Sequence, residues 1–213
     1  MLGTLEFTTA EAAFVLREPV KAVRKALDDG PVRARLVPKA GGSVRAIEWL
    51  DLVYLHAVRA LRDELTPKGR AEFYEALKLH PSQGSGEVRF GLLSAAIDDF
   101  EAEVDARTRE LSALAEAIEF GPSGEVFLKG TSIEAHRIAA LREGGLSFQD
   151  IVADYPSLSL QAVAVAEAYA EVYPKAGRPY PRTTVKRALQ GAGLEALDGV
   201  WDEEAAGHIE LEA

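Results

Sequence analysis

The chain has 213 residues, 47% of them hydrophobic, which is enough for two small domains with cores of their own. It has no cysteine, and that excludes disulfides, thiolate metal sites and cysteine nucleophiles together. Net charge is −10 but uneven: residues 1–80 hold 13 Lys and Arg against 11 Asp and Glu, a balance of +2, and residues 81–213 hold 11 against 23, a balance of −12. Such a split points to different partners for the two halves. The opening MLGTLEFTTAEAAF lacks the basic region and long apolar run of a secretory signal. No stretch reaches the ~18 apolar residues of a membrane span. A cytoplasmic protein without a membrane segment is the expectation.

In chain order, Thr8 and Glu11 have capping-box spacing and open a short helix, AEAAFVL. Arg17-Glu18-Pro19 breaks it, and Pro19 suits the first turn of a second helix, VKAVRKALDDG. Val20, Val23 and Leu27 form the buried side of that helix, with Lys21, Arg24 and Lys25 opposite. Gly30-Pro31 ends it. Val32 to Val37 alternates apolar and basic residues as a half-exposed strand does, and Val44 to Ile47 returns after a Pro-Lys-Ala-Gly-Gly-Ser turn. A helix from about Trp49 to Leu65 follows, then a further helix, AEFYEALKL.

Helix, turn, helix, β-wing, helix is the order of a winged helix-turn-helix. The stretch TTAEAAFVLREPVKAVRKALDDG…RAIEWLDLVYL resembles the DNA-binding head of MerR-like and excisionase-like regulators. Residues 17–45 carry 8 basic against 3 acidic side chains. A helix with a cationic outer face can enter the major groove, and a basic β-ribbon beside it can hold phosphates. The candidate DNA contacts are Lys21, Arg24 and Lys25 in the groove, with Arg17, Arg33, Arg35, Lys39 and Arg45 on backbone or wing. The structural alternative is that these are ordinary solvated charges on a head that makes only protein contacts.

The best boundary is His80 to Gly86, polar with a proline and two glycines. Residues 81–122 then read as a linker, with a short strand at Glu87–Phe90 and a long connecting helix from about Leu92 to Phe120. Its apolar stripe is Ile97, Phe100, Val104, Leu111, Leu114 and Ile118. Asp98, Asp99, Glu101, Glu103 and Asp105 on the same helix are a carboxylate metal site in one reading and a solvated face in the other. The histidines, His56, His80, His136 and His208, lack metal-ligand spacing, and no nucleophile-elbow, Walker or Rossmann pattern occurs. An enzyme is not expected, and no cofactor.

Residues 123–174 hold three compact helical patterns. Ile133, Ile138 and Leu141 share a face of the first, which Gly144-Gly145 ends. Ser147 and Asp150 form a second capping box, Pro156 stops that helix, Ser159 caps the third and Pro174 bars its continuation. The order GTSI…REGGLSFQDIVADYPSLS…AVAEAYAEVYP resembles a small bacterial domain family of formerly unknown function, grouped with VapB-type antitoxins and paired with PIN-like ribonuclease toxins. Its members have Arg in a G-T-R motif where this chain has Ser132. The stretch itself holds three basic residues against seven acidic ones, which makes it a poor phosphate binder and places the DNA contacts in the head.

Beyond Pro174, KAGRPYPRTTVKRALQ carries five basic residues and no acidic ones, and EALDGVWDEEAAGHIELEA carries seven acidic residues and no Lys or Arg. Such a bipolar tail folds on a partner or docks on its own domain or on a second copy. The resemblance implies the partner: an antitoxin tail that sets Arg178, Arg182, Lys186 or Arg187 against the acidic metal site of a PIN-like toxin, with Tyr180, Leu189 and Trp201 as further contacts. The expected whole is mostly α: a winged helix-turn-helix head over 1–80, a long joining helix, a three-helix domain and a toxin-binding tail over 175–213. The expected function is a homodimeric type II antitoxin that silences a PIN-like ribonuclease and binds its own operator. The alternative is a stand-alone MerR-like regulator whose second half oligomerises or senses a ligand.

Overall fold

A computed structural model describes residues 6–39, 42–80, 86–175 and 177–192. The chain divides into two compact units, Met1–Glu116 and Ala117–Ala213. Among the described residues the chain is mostly helical.

The first unit runs β1 (Glu6–Thr8), α1 (Thr9–Leu16), α2 (Val20–Asp29), β2 (Arg35–Lys39), β3 (Gly42–Glu48), α3 (Trp49–Ala60), α4 (Pro67–Leu79), β4 (Glu87–Phe90), β5 (Leu93–Ala96) and α5 (Asp98–Glu116). The capping box that opens α1 is present: Glu11 N–H donates to Thr8 Oγ1 at 3.4 Å and Thr8 N–H to Glu11 Oε2 at 2.7 Å. Strands β1, β3 and β2 form one antiparallel sheet in that order. The strand expected from Val32 starts instead at Arg35. Val32 is buried to 1% exposure, so residues 32–34 are pinned by the core rather than by a ladder.

The core gathers Val15, Val23, Leu52, Val53, Phe73, Leu77, Val88, Ile97 and Val104, all almost fully buried. Removing one such side chain from water contributes about 1.5–3 kcal/mol. Phe73 lies 5.9 Å from the Tyr54 ring and 5.0 Å from the Phe90 ring, which ties α3, α4 and β4 together. Helix α5 packs on α1 and α3. The helix expected from Leu92 to Phe120 is shorter at both ends. Leu93–Ala96 pairs with β4 across a two-residue turn whose first position, Gly91, has φ 58°, the left-handed value such hairpins require. At the far end β6 (Ile118–Phe120) pairs with β7 (Val126–Leu128). Of the expected stripe, Val104, Leu111 and Leu114 are buried on α5 and Phe100 is half-buried there, whereas Ile97 is buried just before the helix and Ile118 is buried in β6. Short apolar runs fit either period, and here the turn residues decide.

The second unit continues with α6 (Ala135–Glu143), α7 (Phe148–Asp154), α8 (Leu160–Val172) and α9 (Val185–Gly191). The Ser147–Asp150 capping box and the Ser159 cap are both made. Ile138, Leu141, Ile151, Leu158, Val163, Ala166 and Tyr169 close the core against Ile118 and Leu128. Among the described residues no helix is long and apolar enough to cross a membrane.

Candidate nucleic-acid interface and the docked arm

Helix α2 buries Val23 and Leu27 and exposes Lys21, Arg24 and Lys25. Its charges oppose its own dipole. Cations occupy the N-terminal half and Asp28 and Asp29 the last turn, the reverse of what stabilises a helix. An arrangement that works against the helix suits a ligand: a cationic helix N-terminus attracts phosphate.

Two structural contacts fix how α2 is presented. The last carbonyls of α1 have no partners within the helix. Arg59 Nη1 donates to Leu16 O at 3.1 Å and Arg107 Nη1 to Val15 O at 3.3 Å, so side chains from α3 and α5 hold that end. Arg17, the next residue, sits at φ 52°, ψ 47°, a left-handed conformation that costs a non-glycine residue about 1–2 kcal/mol. The chain thereby turns sharply into α2.

The predicted DNA residues divide three ways. Lys21, Arg24 and Arg33 are exposed and have neither ion pair nor hydrogen bond among the described residues. Lys25 pairs with Asp29 at 3.6 Å and Arg45 with Asp28 at 2.5 Å, both in contacts open to solvent that contribute little and exchange readily. Arg35 pairs with Glu6 at 2.7 Å and Arg17 with Glu110 at 3.7 Å. Cross-strand register separates Arg35 from Arg45. Leu36 faces Arg45, and Phe7 faces Ile47, on one side of the sheet, whereas Arg35 lies with Glu6 on the other. Arg45 therefore belongs with α2 and Arg35 does not. Leu36, 68% exposed, stands beside Arg45. Lys39 closes β2, and its side chain lies outside the described atoms.

The acidic residues of α5 are used inside the first unit. Asp105 Oδ1 accepts from Trp49 Nε1 at 2.8 Å, and Glu103 Oε2 faces His56 Nε2 at 3.1 Å and Arg107 at 2.8 Å. Burial and the neighbouring Asp98 push the Glu101 carboxyl upward. Among the described residues no group of three or more His, Asp or Glu could hold a metal ion. Burial, then the Arg107 cation, holds His56 below its ordinary value, and this outweighs the pull of Glu103. The Nδ1 atom agrees, being buried without a partner, because a protonated ring would leave a second N–H unsatisfied there.

In the second unit, residues 175–192 return across α6 and α7 as an arm. Lys175 lies 3.8 Å from Glu134, and the Tyr180 hydroxyl donates to the same carboxylate. Arg137 donates to two arm carbonyls, Pro181 O at 2.7 Å and Thr183 O at 3.1 Å. Arg182 pairs with Glu143 at 3.5 Å. Arg187 reaches Asp154 at 2.7 Å and Asp150 at 3.0 Å, two carboxylates one turn apart on α7. The Thr184 hydroxyl donates to Asp154 at 3.2 Å and accepts from Arg187 N–H to cap α9. Hydrogen bonds from Ser147 hold the Asp150 carboxyl below the ordinary carboxylate range. At Gly144 a Cβ would stand 2.0 Å from Arg182 O, so only glycine admits the arm backbone at that distance.

Of the residues expected to meet a toxin, Tyr180, Arg182 and Arg187 thus face their own domain. Arg178 and Lys186 are exposed with no partner among the described residues, and Leu189 is half-buried. Trp201 lies outside the described residues. The arm's receptors, Glu134, Arg137, Gly144 and Asp154, do not stand out in the sequence. The available signal is the i, i+4 spacing of Asp150 and Asp154 on a helix followed by a basic segment.

Residues 122–170 match the family described as "Protein of unknown function (DUF433)". The match ends within α8, and the arm lies beyond it. No curated protein matches the chain. The X-ray crystal structure of Rv2018 from Mycobacterium tuberculosis is similar at 14% identity and a TM-score of 0.30, over 75% of this chain and 95% of that one. A likeness that loose carries no argument about fold or role.

Proposed function

We propose that the protein is a cytoplasmic, dimeric antitoxin that binds DNA through a winged helix-turn-helix over residues 1–80 and a PIN-like ribonuclease through its C-terminal half. It acts by binding and has no catalytic role. The observation that carries the DNA half is the distribution of unpaired cations. The chain has ten more acidic than basic residues, yet Lys21, Arg24 and Arg33 have no carboxylate partner among the described residues and lie close together in the chain. In this reading α2 enters the major groove by its N-terminal half, and Arg45 and Leu36 follow the backbone beside it. Lys25 exchanges Asp29 for a phosphate. The toxin half rests on the resemblance of residues 125–174 to antitoxin domains and on the arginine-rich arm that follows them.

The decisive pair of experiments is co-expression with a PIN-like protein encoded beside this gene, followed by pull-down, and titration of the gene's own promoter DNA at several salt concentrations. Failure to capture the ribonuclease removes the antitoxin reading. A second reading, a stand-alone MerR-like regulator, is favoured by one observation: Tyr180, Arg182 and Arg187 already have partners within their own domain. Promoter binding without ribonuclease capture is its signature.

A further inference from the structure

The arm is held by polar contacts and almost nothing else. Helix α9 has no buried residue, and Val185 is 75% exposed. Seven residues of isolated helix are far below the ~12–15 that persist alone in water. What keeps the arm in place is a line of acceptors on α6, on α7 and just before α6: Glu134, Glu143, Asp150 and Asp154. Lys175, Arg182 and Arg187 meet them in chain order. The line has a shaped floor, because Gly144 lets the Arg182 carbonyl approach and Arg137 fixes the carbonyls on either side of it. It also has one enclosed end, where the Asp154 side chain is 8% exposed beneath Arg187 and Thr184 is 7% exposed.

The geometry points to an acidic docking track for a basic extended segment, occupied by the chain's own arm and vacated when the arm engages an acidic partner. Arg187 exchanges the Asp150–Asp154 pair for carboxylates of that partner, one guanidinium–carboxylate contact for another. The exchange is close to even in energy, so the docked state lowers the partner's apparent affinity by the fraction of molecules whose arm is free. α8 ends at Val172, two residues before Pro174, and Gly177, at φ 88°, turns the chain at the start of the arm. The track stands on contacts within this chain; only the identity of the acidic partner rests on the antitoxin reading.

Hydrogen–deuterium exchange on the full chain tests this without a partner. The wild-type arm, residues 177–191, is expected to be protected at low salt and to lose protection as salt rises, with α8 unchanged. Gly144→Ala, which obstructs the Arg182 carbonyl, and Asp154→Asn, which leaves Arg187 its weaker acceptor, are each expected to speed arm exchange at least about tenfold with α6 and α8 still protected. A wild-type arm that exchanges like free chain overturns the proposal. So do two variants with unchanged arm protection, or two variants that unfold the whole unit, since the arm is then part of the core. The purified neighbouring PIN-like ribonuclease supplies the second arm of the test. Capture severalfold tighter by the two released variants supports competition, and equal capture overturns it. Released arms with no capture by any form leave the track standing and remove the antitoxin reading instead.

Discussion

On α2 Lys21 and Arg24 face solvent, and on the arm Lys175, Arg182 and Arg187 face carboxylates of their own domain. Lys21 and Arg24 have no partner among the described residues, whereas Arg187 has two and Arg182 one. In an acidic chain an unpaired cation acts at long range, drawing a polyanion whose details it need not match. A cation placed between two fixed carboxylates acts at contact range, and its geometry is already specified. Lys21 and Arg24 are therefore open to an external anion, whereas Arg182 and Arg187 are already engaged within the fold. The difference also separates two stabilities: changes on α2 should leave the head's folding untouched, and changes beneath the arm should be felt within the molecule.

The largest effect that could break this contrast is on DNA. Lys21→Ala with Arg24→Ala is expected to lower affinity for promoter DNA by about 1–3 kcal/mol for each of the two side chains that reads a base, and to reduce the salt slope by about 0.9 for each that neutralises a phosphate. Fluorescence anisotropy across a salt series reads both, and unchanged values would return these residues to ordinary surface. Lys21→Glu sharpens the point, since it complements the dipole of α2: thermal melting should show equal or slightly higher stability while binding falls.

Next in size is a polar contact the head does keep inside. Tyr74 OH donates to the buried Asp51 at 2.7 Å. Tyr74→Phe leaves that carboxylate one donor short and should cost about 1–3 kcal/mol in urea unfolding. His56 gives a smaller, pH-dependent effect. Its folded value lies below the ordinary 6.5, so the unfolded chain takes the proton first as pH falls. The contribution is complete above pH 6.5 and is lost as pH drops from there toward the folded value. Glu103, Arg107 and Arg59 are the charged groups around it. His56→Gln should flatten the stability profile below pH 6.5. The smallest change is Arg17→Gly, which relieves the left-handed residue and adds freedom to the unfolded chain. These terms nearly cancel, within about 1 kcal/mol in either direction by thermal melting.

Helix starts are legible in the sequence because capping is local. Thr8–Glu11 and Ser147–Asp150 can be recognised from spacing alone, and both boxes are made. The α5 stripe is equally clear, since burial follows the helical period. Of the two hairpins on either side of α5 only β4 is, read as a short strand at Glu87–Phe90. Three- or four-residue strands have too few alternations to stand against a helical reading, and Gly91 acts through its φ rather than its composition. At the candidate sites the sequence shows which residues are basic but not where their charges go. Arg35 and Arg45 look alike until strand register puts them on opposite faces. Asp154 is one acid among many until the arm returns to it over 33 residues of chain. Pairings across such distances are properties of the packed chain and leave no local mark.

The support beneath the α1 terminus limits how this protein can be dissected. Arg107 reaches Val15 from 92 residues away, and Arg17 meets Glu110. A fragment ending after β3, or after α3, would keep every residue of α2 and lose part of what holds the end of α1. A fragment that keeps α2 together with these supports must reach through α5. A helix grafted into residues 20–29 would still follow an α1 end that is held from α5.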